Sequence, residues 1–229
     1  MRINLNEKRF FDKYGIIKLN IKISKSKIYL FKKDVTKLIN CKDNRVYKYY
    51  EKDVTQKKQL FRIENFFYKK NQISKFLQSG YFEKILFTFF KKKFVLFKEK
   101  INLKPPGARK DHLHQDVQAG WLKYSKEFVS FVISIDESNS KNSNLIFDFS
   151  GNNSNKIIGK KIKKIKVKAL KKPQFKNIPL KIGEIAMFNG YVPHMSKKNI
   201  IRISLKIFPL TQWELKIGFM NIKYKKYVE

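Results

Sequence analysis

The chain is poor in residues that cross-link, move protons or fork onto phosphate. Among its 229 residues, Cys41 is the only cysteine. That excludes a disulfide frame and a thiolate metal cluster, and it makes a reducing cytoplasm the expected compartment. Histidine is almost as scarce, at His112, His114 and His194. Arginine stands only at Arg2, Arg9, Arg45, Arg62, Arg109 and Arg202. No stretch approaches the roughly 18 consecutive apolar residues of a membrane span, and Met1 to Glu7 holds no apolar signal region, so no membrane partner is expected. No internal repeat is visible.

Lysine is what the chain has in excess. Lys and Arg total 52 against 18 Asp and Glu, a formal net charge of +34. Such a balance invites a nucleic-acid reading, yet phosphate and guanine are best gripped bidentately by Arg. Ile, Asn, Phe and Tyr, which share A/T-rich codons with Lys, are abundant too. Two accounts stay open: a solvated lysine coat left by compositional drift, or a basic surface for nucleic acid or another polyanion. The first leaves nucleic acid outside the expected partners. Even a coat has a field that speeds the approach of an anionic small molecule. Apolar residues at 42%, with 15% aromatic, are enough for a folded core, and residues 1–229 suit one domain.

Periodicity divides that domain into a mixed, helical support over 1–92 and a β core over 93–229. In the support, Glu7 to Lys13 reads as a helix and Gly15 to Ile23 as a strand. Asp34 is a candidate cap for a helix reaching Asn40, and the lysine-rich stretch from Cys41 to Lys58 reads as loop. Asn71 to Ser79 and Tyr81 to Lys92 show Phe, Ile and Leu at helical spacing on either side of Gly80. Beyond them lie strand candidates at Phe94–Leu103, His112–Asp116, Phe128–Ile135, Asn144–Phe149, Ile162–Ala169, Glu184–Asn189, Ile201–Phe208 and Trp213–Ile222. Asn, Ser, Gly and Pro separate most of them, which argues for a β-sandwich or barrel.

Two of the three histidines fall in His112-Leu113-His114-Gln115-Asp116. On a strand, residues two apart project to one side, so His114 and Asp116 are placed to chelate one ion. With His194 they make the two-histidine, one-carboxylate set of non-haem iron(II) oxygenases, which leaves coordination positions open. Downstream, Arg202 and Ser204 share one face of an otherwise apolar strand. A guanidinium there must face water or be paired. It is either a surface residue or a fork for the distal carboxylate of 2-oxoglutarate, with Ser204 adding a hydrogen bond.

These motifs together resemble the phytanoyl-CoA dioxygenase family of iron(II)/2-oxoglutarate-dependent oxygenases. The likeness runs through Phe10-Phe11-Asp12-Lys13-Tyr14-Gly15, Ile101-Asn102-Leu103-Lys104-Pro105-Pro106, the His114 and Asp116 segment, and Gln118-Ala119-Gly120-Trp121. It continues in Gly183-Glu184-Ile185-Ala186-Met187-Phe188, Pro193-His194-Met195-Ser196, Asn199 and Arg202. The resemblance implies a mainly β, cupin-like double-stranded β-helix (jelly roll) preceded by N-terminal helices. It implies Fe(II), 2-oxoglutarate and O2, with His114, Asp116 and His194 as metal ligands. Arg202, Ser196 and Ser204 would bind 2-oxoglutarate, and Lys100 and Asn102 are further candidates on the preceding strand. The activity implied is hydroxylation of a small metabolite, with release of succinate and CO2. Trp121, Tyr124 and Gln118 are candidates for the substrate side, while Gln115 and Gln118 are suited to fixing the ligand loop by hydrogen bonds. Asp111 reads as a turn residue.

Overall fold

The computed structural model describes residues 5–53, 55–105, 107–108, 110–140, 142, 144–158, 164–197 and 212–221. Its first half is helix α1 (Leu5–Tyr14), strand β1 (Ile16–Lys22), helix α2 (Lys25–Ile39), strands β2 (Tyr47–Lys52) and β3 (Lys58–Glu64), and helices α3 (Gln72–Gln78) and α4 (Tyr81–Phe90). Helix α2 starts well before Asp34, because Ser24 is its cap and accepts the Lys27 N–H. Asp34 lies buried in mid-helix instead, and its Oδ2 accepts the Ile73 N–H at 2.9 Å. It therefore satisfies the first turn of α3, a helix it is not part of. The expected loop over Cys41 to Lys58 contains β2. That strand is the sheet's edge, is rich in Tyr and Lys, and buries none of its residues, so it lacks the apolar alternation that marks a strand in sequence.

The second half supplies β4 (Phe94–Lys104), β5 (Phe128–Ser134), β6 (Leu145–Asp148), β7 (Phe175–Ile178), β8 (Glu184–Asn189), β9 (His194–Ser196) and β10 (Gln212–Asn221). They form a seven-stranded sheet, β1-β8-β5-β10-β4-β3-β2, and a three-stranded sheet, β7-β6-β9, both paired antiparallel. The two sheets make the jelly roll. The expected strand at His112–Asp116 is not one: His114 makes a single bridge to His194, and Asp116 opens a 3-10 turn that runs to Ala119. Within the expected strand Ile162–Ala169, residues 164–166 are irregular and Val167–Ala169 is a 3-10 turn. The expected strand Ile201–Phe208 lies outside the described residues.

Alternation along the central strands sorts side chains between two cores. Val129, Phe131 and Ile133 of β5, Ile185 and Met187 of β8, and Leu215, Ile217 and Phe219 of β10 face the helices. There they join Phe31 and Val35 of α2, Phe76 of α3, and Phe82 and Leu86 of α4. Burying each such phenylalanine is worth about 2–3 kcal/mol. The opposite face, with Val132, Ala186 and Phe188, meets Phe147, Phe149 and Leu180 near the small sheet. β5 is buried along its whole length because both of its faces are covered. The site lies on this second face.

One turn holds the end of β1 against β8. Gly183 sits at φ +82°, accepts the Ile23 N–H at 2.9 Å and donates to the Ser134 carbonyl at 2.7 Å. A Cβ there would collide with the Ile23 carbonyl oxygen, which is backbone and cannot rotate away. Gly183→Ala is expected to lower stability by about 2–3 kcal/mol, read as a reduced urea midpoint with an unchanged slope. An unshifted midpoint would show that the turn relaxes freely.

Candidate metal centre

Three segments bring His114, Asp116 and His194 together. Backbone hydrogen bonds at 2.9 Å in both directions tie His114 to His194, and they set the two imidazoles side by side with centroids 4.3 Å apart. Each Nδ1 lies against a backbone carbonyl, His114 on His112 at 2.7 Å and His194 on Val192 at 2.9 Å. A carbonyl only accepts, so each Nδ1 carries the proton and each Nε2 offers its lone pair to the centre. Asp116 Oδ2 accepts the Ser130 hydroxyl at 2.7 Å. Its Oδ1 then faces His194 Nε2 at 3.7 Å and His114 Nε2 at 4.0 Å. One donor atom from each residue falls within 4.8 Å of the others. Two neutral imidazoles and a carboxylate suit a divalent ion of intermediate hardness such as Fe(II).

A cationic group also stands at this focus. Lys216, buried on β10, places Nζ 2.7 Å from Asp116 Oδ1 and 3.4 Å from His194 Nε2, and 4.8 Å from the centre of the Phe188 ring. The donor set is thus organised around positive charge, and the ammonium occupies the place of a cation. Phe147 stacks on His194 at 5.4 Å and Phe188 meets it edge-on at 4.9 Å, leaving that side chain 2% exposed.

Burial alone pushes the Asp116 carboxyl upward, but Lys216, His194, Lys100 and His114 outweigh it and hold it well below the carboxylate range. Burial depresses both imidazoles. His194 goes well below 6.5, helped by His114 and Lys216, and His114 is lowered despite the opposing pull of Asp116. The Lys100 ammonium is brought down to about 7, by burial first and by Lys216 next. All three donors are therefore held in their metal-binding protonation states at neutral pH.

The triad opens on a cavity of about 130 Å³ lined by Arg62, Lys100, Asn102, Lys104, Asp111 and Lys216, among others. Lys100, Asn102 and Lys104 reach it because they alternate on β4, whose Ile101 and Leu103 face the helices. Asp111 is more than a turn residue: it pairs with Lys104, accepts the Ser196 hydroxyl at 2.8 Å and lies below its ordinary pKa. Ser196, a candidate for co-substrate binding, is committed to this pair and is not among the cavity's lining residues. Gln118, a substrate-side candidate, accepts the Gln115 N–H at 3.0 Å and donates to the Ile158 carbonyl at 2.8 Å. Gln115 in turn holds the carbonyls of Asn153, Lys156 and Tyr191 and the Ile158 N–H. Both glutamines fix the ligand loop. Trp121 and Tyr124 pack on Phe97, 5.4 and 5.3 Å away, and do not line this cavity. Arg202 and Ser204 lie outside the described residues.

Sequence reasoning passed over Lys216, Ser130, Arg62 and Lys104. Ser130 left a signal, as a hydroxyl inside the otherwise apolar Phe128-Val129-Ser130-Phe131-Val132. Lys216 left none, because Leu215-Lys216-Ile217 reads like any strand with a wet face.

The depressed imidazoles set the sign of a pH effect. Unfolded, each histidine titrates near 6.5; folded, both lie lower. Below 6.5 the unfolded chain binds the extra protons, so stability is full above that pH and is lost as pH falls through the folded values. Asp111 and Asp116, also depressed, add a loss only in the more acidic range below about pH 5. Urea unfolding of the metal-free protein is expected to show declining stability from pH 7 to 5.5, with a shallower decline in His194→Gln. Equal slopes in the two proteins would refute the assignment.

No protein-family model matches the chain. It is 28% identical over 180 residues to a 2-aminoethylphosphonate dioxygenase from Uncultured bacterium HF130_AEPn_1, covering 78% of this chain and 69% of that one. Among solved structures it resembles EctD from S. alaskensis, with a TM-score of 0.77 at 13% identity over 97% of this chain and 78% of that chain. EctD structures include one with bound Fe and one with 2-oxoglutarate and 5-hydroxyectoine. The non-haem α-ketoglutarate-dependent carbocyclase SnoK from nogalamycin biosynthesis matches at a TM-score of 0.74 and 10% identity, over 95% of this chain and 84% of that chain. The chain is thus similar in sequence to a dioxygenase, and it shares its jelly-roll fold with EctD and with SnoK.

Proposed function

We propose that this chain is an iron(II)- and 2-oxoglutarate-dependent dioxygenase acting on a small anionic metabolite, a phosphonate or a carboxylate. The observation that carries the reading is the convergence of His114 Nε2, Asp116 Oδ1 and His194 Nε2 within 4.8 Å, with both imidazoles locked in the metal-binding tautomer. A ferrous ion held by these three would supply the redox chemistry that couples decarboxylation of 2-oxoglutarate by O2, giving succinate and CO2, to hydroxylation of the substrate.

The chain's own residues hold and orient. Ser130 fixes which Asp116 oxygen faces the centre, and the two backbone carbonyls fix the imidazoles. Phe147 and Phe188 keep water from His194. Lys100 and Asn102 face the cavity from β4 and are assigned to the carboxylates of 2-oxoglutarate. Arg202 and Ser204 remain assigned to its distal carboxylate on their sequence pattern alone, and Ser196 supports that wall through Lys104. Arg62, Lys100, Lys104 and Lys216 outnumber Glu51 and Asp111 in the cavity's lining, which favours an anionic substrate; the phosphonate-acting relative supports the same class. Trp121 and Tyr124, packed beside Phe97, are assigned to the substrate's approach. We place the enzyme in the cytoplasm as one domain over 1–229. No helix among the described residues is long and apolar enough to cross a membrane.

The purified protein is expected to bind one Fe(II) per chain and to release succinate from 2-oxoglutarate when screened against phosphonates and carboxylates. His114→Ala should lose both the iron and the turnover. Lys100→Met should raise the KM for 2-oxoglutarate by about tenfold while changing kcat less, since it removes ground-state binding. Undiminished succinate release by His114→Ala would overturn the reading.

A further inference from the structure

Among the described residues, Lys216 is a buried cation that touches the triad directly. Its Nζ contacts Asp116 Oδ1 at 2.7 Å and faces His194 Nε2 at 3.4 Å, two of the three atoms assigned to the metal. Strand pairing fixes its position: β10 is hydrogen-bonded to β4 on one side and to β5 on the other, with Lys216 opposite Lys100 and Val132. The alternation that sends Leu215 and Ile217 into the helix-facing core sends Lys216 into the cavity. A carboxylate this deeply buried is costly without a counter-charge. Lys216 provides one.

An ammonium 2.7 Å from Asp116 Oδ1 and 3.4 Å from the single lone pair of His194 Nε2 stands where a divalent ion held by both atoms would sit. We propose that Lys216 is an internal counter-ion of Asp116 which an incoming divalent cation must displace, so that loading of this centre is an exchange of one cation for another. The inference rests on the metal-centre reading above and adds a competitor to it. The exchange makes metal binding weaker than the bare donor set would give, and it keeps the metal-free fold from carrying an unpaired buried charge. Displaced, the ammonium stays in the cavity beside Lys100, so the loaded site gains positive charge for an anionic ligand.

Titration calorimetry with Zn2+ alone, which is redox-inert, tests the exchange without any need for turnover. Lys216→Met is expected to bind Zn2+ about tenfold more tightly than the unaltered chain, or better. Lys216→Arg, which keeps the charge on a similar reach, should stay near the unaltered affinity. Lys216→Met also leaves Asp116 unpaired and can weaken the fold, so thermal unfolding with and without Zn2+ gives a second reading. The rise in Tm on adding Zn2+ should be larger in Lys216→Met than in the unaltered chain. Equal affinities and equal Tm shifts in the two proteins would overturn the role of Lys216 and leave the metal centre standing. Failure of both proteins to bind Zn2+ would overturn the metal centre and this inference with it.

Discussion

The site is organised around the buried carboxylate of Asp116. Asp116 is 5% exposed and lies between two sheets, where an isolated carboxylate would cost several kcal/mol. Its partners come from separate parts of the chain: the Ser130 hydroxyl from β5, the His194 imidazole from β9 and the Lys216 ammonium from β10. His114 arrives on the ligand loop itself. Both sheets and the loop thus contribute to compensating the charge.

Around that charge the backbone does the aiming. Two carbonyls decide the tautomers of the histidines, and two glutamines decide the path of the loop that carries Asp116. A short 3-10 turn cannot hold its own shape by repetitive hydrogen bonding. Gln115 and Gln118 supply the missing restraint through the capping box at the start of that turn and through bonds to the segment around Ile158. The geometry of the donors thus depends on residues that touch no ligand.

Inside the cavity most of the basic side chains are paired. Lys104 is balanced by Asp111, Lys216 by Asp116 and Arg62 by Glu64. Lys100 stands half-buried near them, its pKa drawn down to about 7 by burial first and by Lys216 next. The lysines on the outside add a long-range field that salt screens, whereas those inside are screened far less.

The sequence by itself determined the elements whose faces are chemically distinct. Strands β4, β5 and β8 and helices α3 and α4 were legible because apolar residues recur at the period of each. The three metal-ligand candidates were legible because histidine is so scarce here. Pattern failed at β2, which buries none of its residues, and at Asp34, whose carboxylate serves a helix 39 residues away. It also failed at the ligand segment, where the strand argument brought His114 and Asp116 together for a reason the fold does not use; a bridge and a 3-10 turn do the work. Only the tertiary structure decided that Lys216 meets Asp116, 100 residues away, because two faces of a strand look alike in sequence until the packing of sheets makes one of them an interior.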